Sequence, residues 1–528
     1  MDPIEELASH LRGAWQPGDG PTQSLFNPAT QEAIAVVRPA RELANALAFA
    51  RDVGGASLRA LTRKQRGELL QSAAKVLHEH REELIELAVR NGGNTRSDAK
   101  FDIDGATGVL SAYAELAGTL GDSPWLVDGE AVSLTRSGKV KVQHVLVPRH
   151  GVAVHINAFN FPAWGMIGKA AVAWLAGMPV LSKPATSTCW VAHRIAAILL
   201  EGKLLPEGAL QLLVGPVGDL LDHLGPQDVV AFTGSADTGA KIRGHANVLR
   251  HGVRINVEAD SLNAVIIGSD VSPGTELFDL VVRDCVTEIT QKAGQKCTAT
   301  RRILVPEHLL EAVRIALVER LDDIAARTGN PADPQVRMGP LATDQQLHDG
   351  RNGVHVLTAD ARVVRGDTGR TVFMGAADAK GWFLEPILLE ATSAAALEPR
   401  AGFHRREVFG PVATLLPYDG SFARAAQIVA AGGGSLVSTV YSDDRDISSR
   451  ATLELGAFLG RLVIAGEKIA AASFSPGLVF PQAAHGGPGR AGSGEELGGV
   501  RALALYSQRT AVQAGAAQLA KFSETHAG

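Results

Sequence analysis

Cysteine is scarce in this chain. Cys189, Cys285 and Cys297 are the three among 528 residues. They cannot build a framework of two or more bridges, and the expectation is reduced thiols in a cytosol. Aromatic residues amount to 5%, which disfavours a platform for stacking bases. Basic residues do not exceed acidic ones. The formal net charge is −5, whereas a dedicated nucleic-acid binder usually carries a strong basic excess. No run reaches about eighteen uninterrupted apolar residues, so no membrane span is expected. The opening stretch MDPIEELASHLRG is acidic and lacks a signal-peptide core. These absences read together as a soluble cytoplasmic protein with no nucleic-acid or membrane partner.

What is present is ordinary globular material, 45% hydrophobic and 20% charged. A chain this long implies two or three domains. The first 120 residues read as mainly helical after one extended piece, SLFNPATQEAIAVV. Leu70, Ala74, Leu77, Leu84 and Leu87 recur near helical spacing, and Asn91-Gly92-Gly93 supplies a stop. Residues 132–149 alternate around Ser137-Gly138, which predicts a hairpin. It could lie in solvent or pack on another subunit. From Gly151 to Asp270, strand-like runs (GVAVHIN, PVLSKP, LQLLVG, VVAFTG, VRINVEA, NAVIIG) alternate with helical stretches. That pattern predicts a mostly parallel sheet covered by helices, with ligands gathered at the carboxyl ends of the strands. A second alternating region runs from about 273 to 480, and VRALALYSQRTAVQAG reads as a late strand.

Two motifs are decoys. Gly487-Pro-Gly-Arg-Ala-Gly has the letters of a dinucleotide fingerprint, but that fingerprint needs a preceding strand and a following helix. Here it lies in the glycine-dense HGGPGRAGSGEELGG, which reads as a mobile or tightly turned loop. His78-Glu-His80 cannot put both histidines on one helix face and reads as solvated surface. No metal site is expected.

The chemistry is carried by HINAFNFPAWGMIGKAAVAWLAG, PVLSKPATST, FTGSADTGAKI, VRINVEADSLN, QKAGQKCTATRR and REVFGPV. In order and spacing these segments resemble the aldehyde dehydrogenase superfamily, over nearly the whole chain from FNPATQEAIA to EELGG. The resemblance implies an α/β architecture with a Rossmann-type cofactor domain (1–130 and 150–259), an α/β catalytic domain (260–485) and a β-hairpin oligomerisation arm (131–149 and 500–517). A homodimer or homotetramer is the expected assembly.

Residue by residue, Cys297 falls where that family keeps its nucleophile. A thiolate there would add to an aldehyde carbonyl, and the adduct would release hydride and collapse to a thioester. For Cys189 and Cys285 a buried inert thiol is the expectation. Glu258 matches the general base that activates the hydrolytic water and could also help deprotonate Cys297; a surface carboxylate at a strand end is the bland alternative. Glu-Ala-Asp-Ser stands where many relatives have Glu-Leu-Gly-Gly. Asn160 matches the amide that binds the developing oxyanion, or is simply a turn residue before Pro162. Phe159 replaces the usual Trp before it. Glu496 resembles a second glutamate that relays protons; with Glu495 it could instead be a carboxylate pair at a helix start.

For the cofactor, the resemblance points to Lys183, Ala185 and Thr186, then Gly234, Ser235 and Gly239 at a helix start, then Glu407 and Phe409 around the nicotinamide ribose and ring. Relatives preferring NAD often carry Glu where Thr186 stands. Its absence removes repulsion of a 2′-phosphate, so NADP is expected over NAD. The narrower likeness, in AFNFPAWG and KAGQKCTATRR, is to the dehydrogenases of CoA-linked aromatic ring cleavage. It implies a CoA thioester with a distal aldehyde, such as 3,4-dehydroadipyl-CoA semialdehyde, oxidised to the acid. The rivals are a CoA-acylating dehydrogenase, which the presence of Glu258 opposes, and a non-catalytic scaffold.

Overall fold

Two sheets built mainly of parallel strands organise the computed structural model, which describes residues 4–377 and 380–524. The first runs Arg254–Glu258, Val229–Thr233, Ala153–Ile156, Val180–Lys183, Leu210–Leu212, all parallel, and then adds the antiparallel Ser9–Leu11 and Ala14–Gln16. The parallel part of the sheet starts at Ala153–Ile156, builds outward to one side, and crosses back to build the other. The crevice of such a sheet opens where the two directions diverge, here past Ile156 and Thr233. The loops beginning at Asn157 and Gly234 therefore line it.

The second sheet has the order Ala361–Arg365, Ile387–Ala391, Val412–Tyr418, Arg302–Pro306, Ala264–Ile267, Ser435–Tyr441, Leu459–Ala465, antiparallel only at its first strand. Strand side chains alternate between faces. Ala153 and Val180 enter one apolar cluster with Ile167 and Trp174, while Val154 and Leu181 enter another with Leu43 and Phe232. Ile266 and Leu304 likewise part from Val265 and Ile303. Both faces of each sheet are thus covered, which is why these strands read as continuous apolar runs.

All six strand segments read between 151 and 270 are strands. NAVIIG, however, belongs to the second sheet, so the chain changes sheets between Glu258 and Ala264. The N-terminal region needs correction. Five strands precede the first helix at Leu43–Phe49; the extended piece SLFNPATQEAIAVV holds Gln23–Phe26 and Ala33–Val37, but Glu5–Leu7, Ser9–Leu11 and Ala14–Gln16 are too short to show a period. The long helical pattern is two helices, Arg63–Glu79 and Arg81–Gly92. Thr62 and Gln65 form a capping box at the start, and Gly93, at φ 66°, ends the second helix. The hairpin Leu126–Ser133/Val140–Pro148 turns at Gly138 and pairs along nine positions with Ser507–Gly515.

The glycine-dense stretch is a hairpin, Ala484–Gly487 with Gly494–Leu497, and the fingerprint letters fall at its tight turn, Gly489–Ala491, with strands on either side that the sequence did not suggest. Its glycines answer to sterics. A Cβ on Gly492 or Gly494 would run into the carbonyl oxygen of Val257, and one on Gly486 into that of Gly494. Asn256 closes the same contact, its Oδ1 accepting from the Glu495 N–H at 2.7 Å and its Nδ2 donating to Glu496 Oε1 at 3.0 Å. Glu496 therefore lies on a strand, not at a helix start.

The contact can be tested with alanine. At Gly492 (φ 100°) the substitution meets both a left-handed backbone and the Val257 carbonyl, whereas at Gly252 (φ 57°) nothing lies within 4 Å. Gly252→Ala should cost about 1–2 kcal/mol of unfolding free energy. Gly492→Ala should cost distinctly more and also depress turnover. Chemical denaturation and initial rates check both.

Candidate active site

Three left-handed residues in succession precede Cys297: Lys292, Ala293 and Gly294, at φ 53°, 53° and 67°. Such a run is unfavourable for residues with a Cβ and must be held by its surroundings. Lys292 is buried with its Nζ over the Phe161 ring at 4.6 Å. Buried Asp98 and Asp102 act on it electrostatically, and burial pushes its own pKa down. Gly294 packs so closely on the Gly410 carbonyl that no Cβ would fit. Arg301 ties the segment together from inside. It donates to the carbonyls of Gly410 (2.8 Å) and Gly294 (3.0 Å), pairs with Glu407 at 3.3 Å, and lies 5.5 Å from the centre of the Phe409 ring. Asn263 Nδ2 donates to the Cys297 carbonyl at 2.8 Å.

Two cavities meet at this cysteine. One is lined by Ala185, Gly234, Ser235, Glu407 and Phe409. The other is lined by Phe101, Phe161, Trp164, Val479 and Leu497 and is largely apolar. Asn160, Glu258 and Cys297 line both. Glu496 belongs to the apolar one. Asn160 Nδ2 donates one hydrogen bond to the Gln295 carbonyl at 2.9 Å. That fixes the amide against the cysteine segment and leaves its second N–H for another acceptor.

The remaining cofactor candidates divide. Ser235 caps the helix Ala236–Arg243, its side chain accepting from the Thr238 N–H. A Cβ on Gly239 would press on Val257 Cγ1, so that glycine serves helix-on-strand packing and does not line the cleft. Lys183 ends its strand half-buried, its pKa lowered by burial, and Thr186 opens the turn that follows, next in sequence to Ala185 of the cleft lining.

Electrostatics separate the three thiols. Burial pushes Cys189 up to about 12 and Cys285 higher still, as expected of inert core cysteines. Cys297 is also raised, by burial and then by the charge of Glu258 and Glu407. It differs from the other two in its surroundings. Its Sγ lies 3.9 Å from His485 Nε2, and that nitrogen lies 3.2 Å from Glu258 Oε2. Burial alone would raise Glu258; His485 and Lys169 outweigh it and hold the carboxyl below its usual range. Glu496 moves the other way, raised by burial and by Glu258. Lys169 Nζ stands 3.5 Å from Glu496 Oε2 and donates to Thr233 Oγ1 at 2.8 Å. Glu407 is raised to about 7 by burial, with Arg301 opposing.

Sequence reasoning missed His485, Lys169, Asn256 and Arg301. Only Arg301 had an evident signal, two adjacent arginines entering an apolar strand. His485 was concealed by the glycines around it.

Comparison with known proteins agrees with this geometry. Residues 15–512 match the model of the aldehyde dehydrogenase family. The chain is 42% identical to the 3,4-dehydroadipyl-CoA semialdehyde dehydrogenase of Aromatoleum evansii, over 92% of this chain and 93% of that one. It is 29% identical to the alpha-ketoglutaric semialdehyde dehydrogenase of Bacillus subtilis (strain 168), over 68% and 69% of the two chains. A point mutant of Staphylococcus aureus betaine aldehyde dehydrogenase, solved with NAD+, superposes with a TM-score of 0.81 at 25% identity, covering 96% of this chain and 97% of that one. With the family model matched almost end to end over a segment that sets Cys297 where two cavities join, the chain belongs to the aldehyde dehydrogenase family.

Proposed function

We propose that the chain oxidises an aldehyde to a carboxylic acid through a thioester on Cys297, with NADP as hydride acceptor and a CoA-linked semialdehyde such as 3,4-dehydroadipyl-CoA semialdehyde as substrate. The observation that carries this is the shared lining: Asn160, Glu258 and Cys297 face both cavities. The aldehyde enters by the apolar cavity. Sγ of Cys297 adds to the carbonyl carbon, and the oxygen is held by the free N–H of Asn160 together with the Cys297 backbone N–H. The nicotinamide, when bound, accepts the hydride. Glu258 Oε1, buried and without a hydrogen-bond partner among the described residues, takes a proton from the water that hydrolyses the thioester. Glu496, Lys169 and Thr233 then offer that proton a path away.

Glu407 and Phe409 on one wall, and Gly234 and Ser235 on the other, suit a nucleotide lying across the sheet's crevice. Thr186, with no carboxylate at its position, favours NADP. The CoA portion of the substrate rests on the likeness to the Aromatoleum protein. The sheet of Leu126–Ser133, Val140–Pro148 and Ser507–Gly515 leaves Val132 and Leu134 exposed, 59% and 49%, which fits an arm seated on a second subunit of a homodimer or homotetramer.

Cys297→Ala should abolish oxidation while cofactor binding persists. Glu258→Gln should keep a pre-steady-state burst of reduced cofactor yet lower steady turnover by roughly a hundredfold or more; an equal fall in both would remove the assigned role. Rates on CoA-linked semialdehydes should exceed those on simple aliphatic aldehydes. Product analysis with free CoA should find acid and not a new thioester.

Thr186→Glu should move the kcat/KM ratio toward NAD, and an unchanged ratio would contradict the NADP assignment. Cofactor affinity should also depend on pH. Below about 7 Glu407 is protonated, and above it the ionised carboxylate accepts more strongly from ribose hydroxyls. Affinity should therefore rise as pH increases through that value. Fluorescence titration should find the rise in the wild type and its loss in Glu407→Gln.

A further inference from the structure

The hairpin Ala484–Gly487/Gly494–Leu497 sets His485 directly opposite Glu496 in its register, so both side chains leave the same face. Both line the apolar cavity together with Cys297 and Glu258. His485 is itself buried, and its Nε2 stands between the thiol and the carboxylate, at 3.9 Å and 3.2 Å. One donor atom from each of the three residues lies within 4.8 Å of the other two.

This geometry raises a difficulty for a single-base scheme. Lys169 favours the ionised form of Glu258, which makes that carboxylate a poor acceptor for the proton of a thiol that burial makes reluctant to ionise. We propose that His485 is a catalytic residue that takes the proton of Cys297 and keeps the thiolate as an ion pair, leaving Glu258 to the hydrolytic water alone. This rests on the reading of Cys297 as the nucleophile.

The step balances. The ring enters neutral, with its proton on Nδ1 and its lone pair on Nε2. The S–H bond breaks, an N–H bond forms at Nε2, and a neutral pair becomes thiolate and imidazolium. The new N–H points at both Sγ and Glu258 Oε2, and the carboxylate offsets the ring's charge. When the thioester is hydrolysed the sulfur leaves as thiolate and the pair is restored with no proton gained or lost at His485. The charged groups facing the ring come from each element packed on it: Glu258 from Arg254–Glu258, Glu496 from the opposing strand, and Lys169 from the helix Trp164–Ala176. Glu407 and Lys296 act on the thiol from farther off, with opposite signs.

The test is the pH dependence of Cys297 alkylation by iodoacetamide, measured on the full chain without substrate. Wild type should react readily at and below neutral pH. In His485→Asn the amide can still bond Glu258 but cannot take a proton, so reaction should begin only in the alkaline range. The pre-steady-state burst of that variant should fall by roughly a hundredfold, with cofactor binding and the melting temperature retained. Superimposable alkylation profiles for the two proteins would overturn the proposal. If His485→Asn fails to fold, the ultraviolet absorbance of the thiolate in the wild type decides. It should be lost on alkylation of Cys297 near neutral pH, and its absence until strongly alkaline pH would overturn the proposal equally. Neither readout uses an aldehyde, so a negative result here leaves the dehydrogenase reading standing, while a wild type with no burst on any aldehyde sinks that reading instead.

Discussion

The carbonyl of Val257 presses against the backbone of Gly492 and Gly494, and the chemistry of the protein depends on that contact. Val257 precedes the glutamate that ends its strand. The two glycines follow the turn of a hairpin that pairs His485 with Glu496. Any side chain at either glycine would push the hairpin off the strand. Asn256 adds a clamp from the neighbouring position, bonding both the Glu495 N–H and the Glu496 carboxylate. Two regions more than 200 residues apart in sequence thereby place Glu258, His485 and Glu496 around one sulfur.

Bringing these groups together is costly in a buried setting, and the structure offsets the cost by pairing. His485 and Lys169 counter the carboxylates of Glu258 and Glu496; Arg301 counters Glu407. Lys296, buried beside the cysteine, pairs with Glu288 at 2.8 Å, and Glu288 also accepts from the Gly477 N–H. The strained run before Cys297 is therefore anchored on several sides. Such overdetermination is what a reactive residue needs if its angle to two cavities is to stay fixed.

Much of this was legible in the amino-acid sequence. The strands between Ala153 and Ile267 are buried on both faces, so their apolar runs stand out from the helices between them. Cys297, Glu258 and Asn160 sit in segments whose order carries the family. The three strands before Pro17 were not legible, because three residues leave no period to detect. In HGGPGRAGSGEELGG the tight turn was legible but the strands beside it were not, for a related cause. Glycine signals freedom in a local reading, but here it marks close approach to a distant strand, and only tertiary structure distinguishes the two. His485 went unremarked because a lone histidine among glycines has no local partner; its partners lie on Arg254–Glu258 and beside Cys297. Gly239, grouped with the cofactor residues by the resemblance, packs its helix closely on Val257.

The central claim is that one sulfur carries the acyl group between the two halves of the reaction. Mass spectrometry of the Glu258→Gln protein, quenched in acid during turnover with aldehyde and cofactor, tests it most directly. The account predicts a thioester-linked acyl group on the peptide containing Cys297, with Cys189 and Cys285 unmodified. An acyl group on another residue, or none while reduced cofactor accumulates, would contradict it.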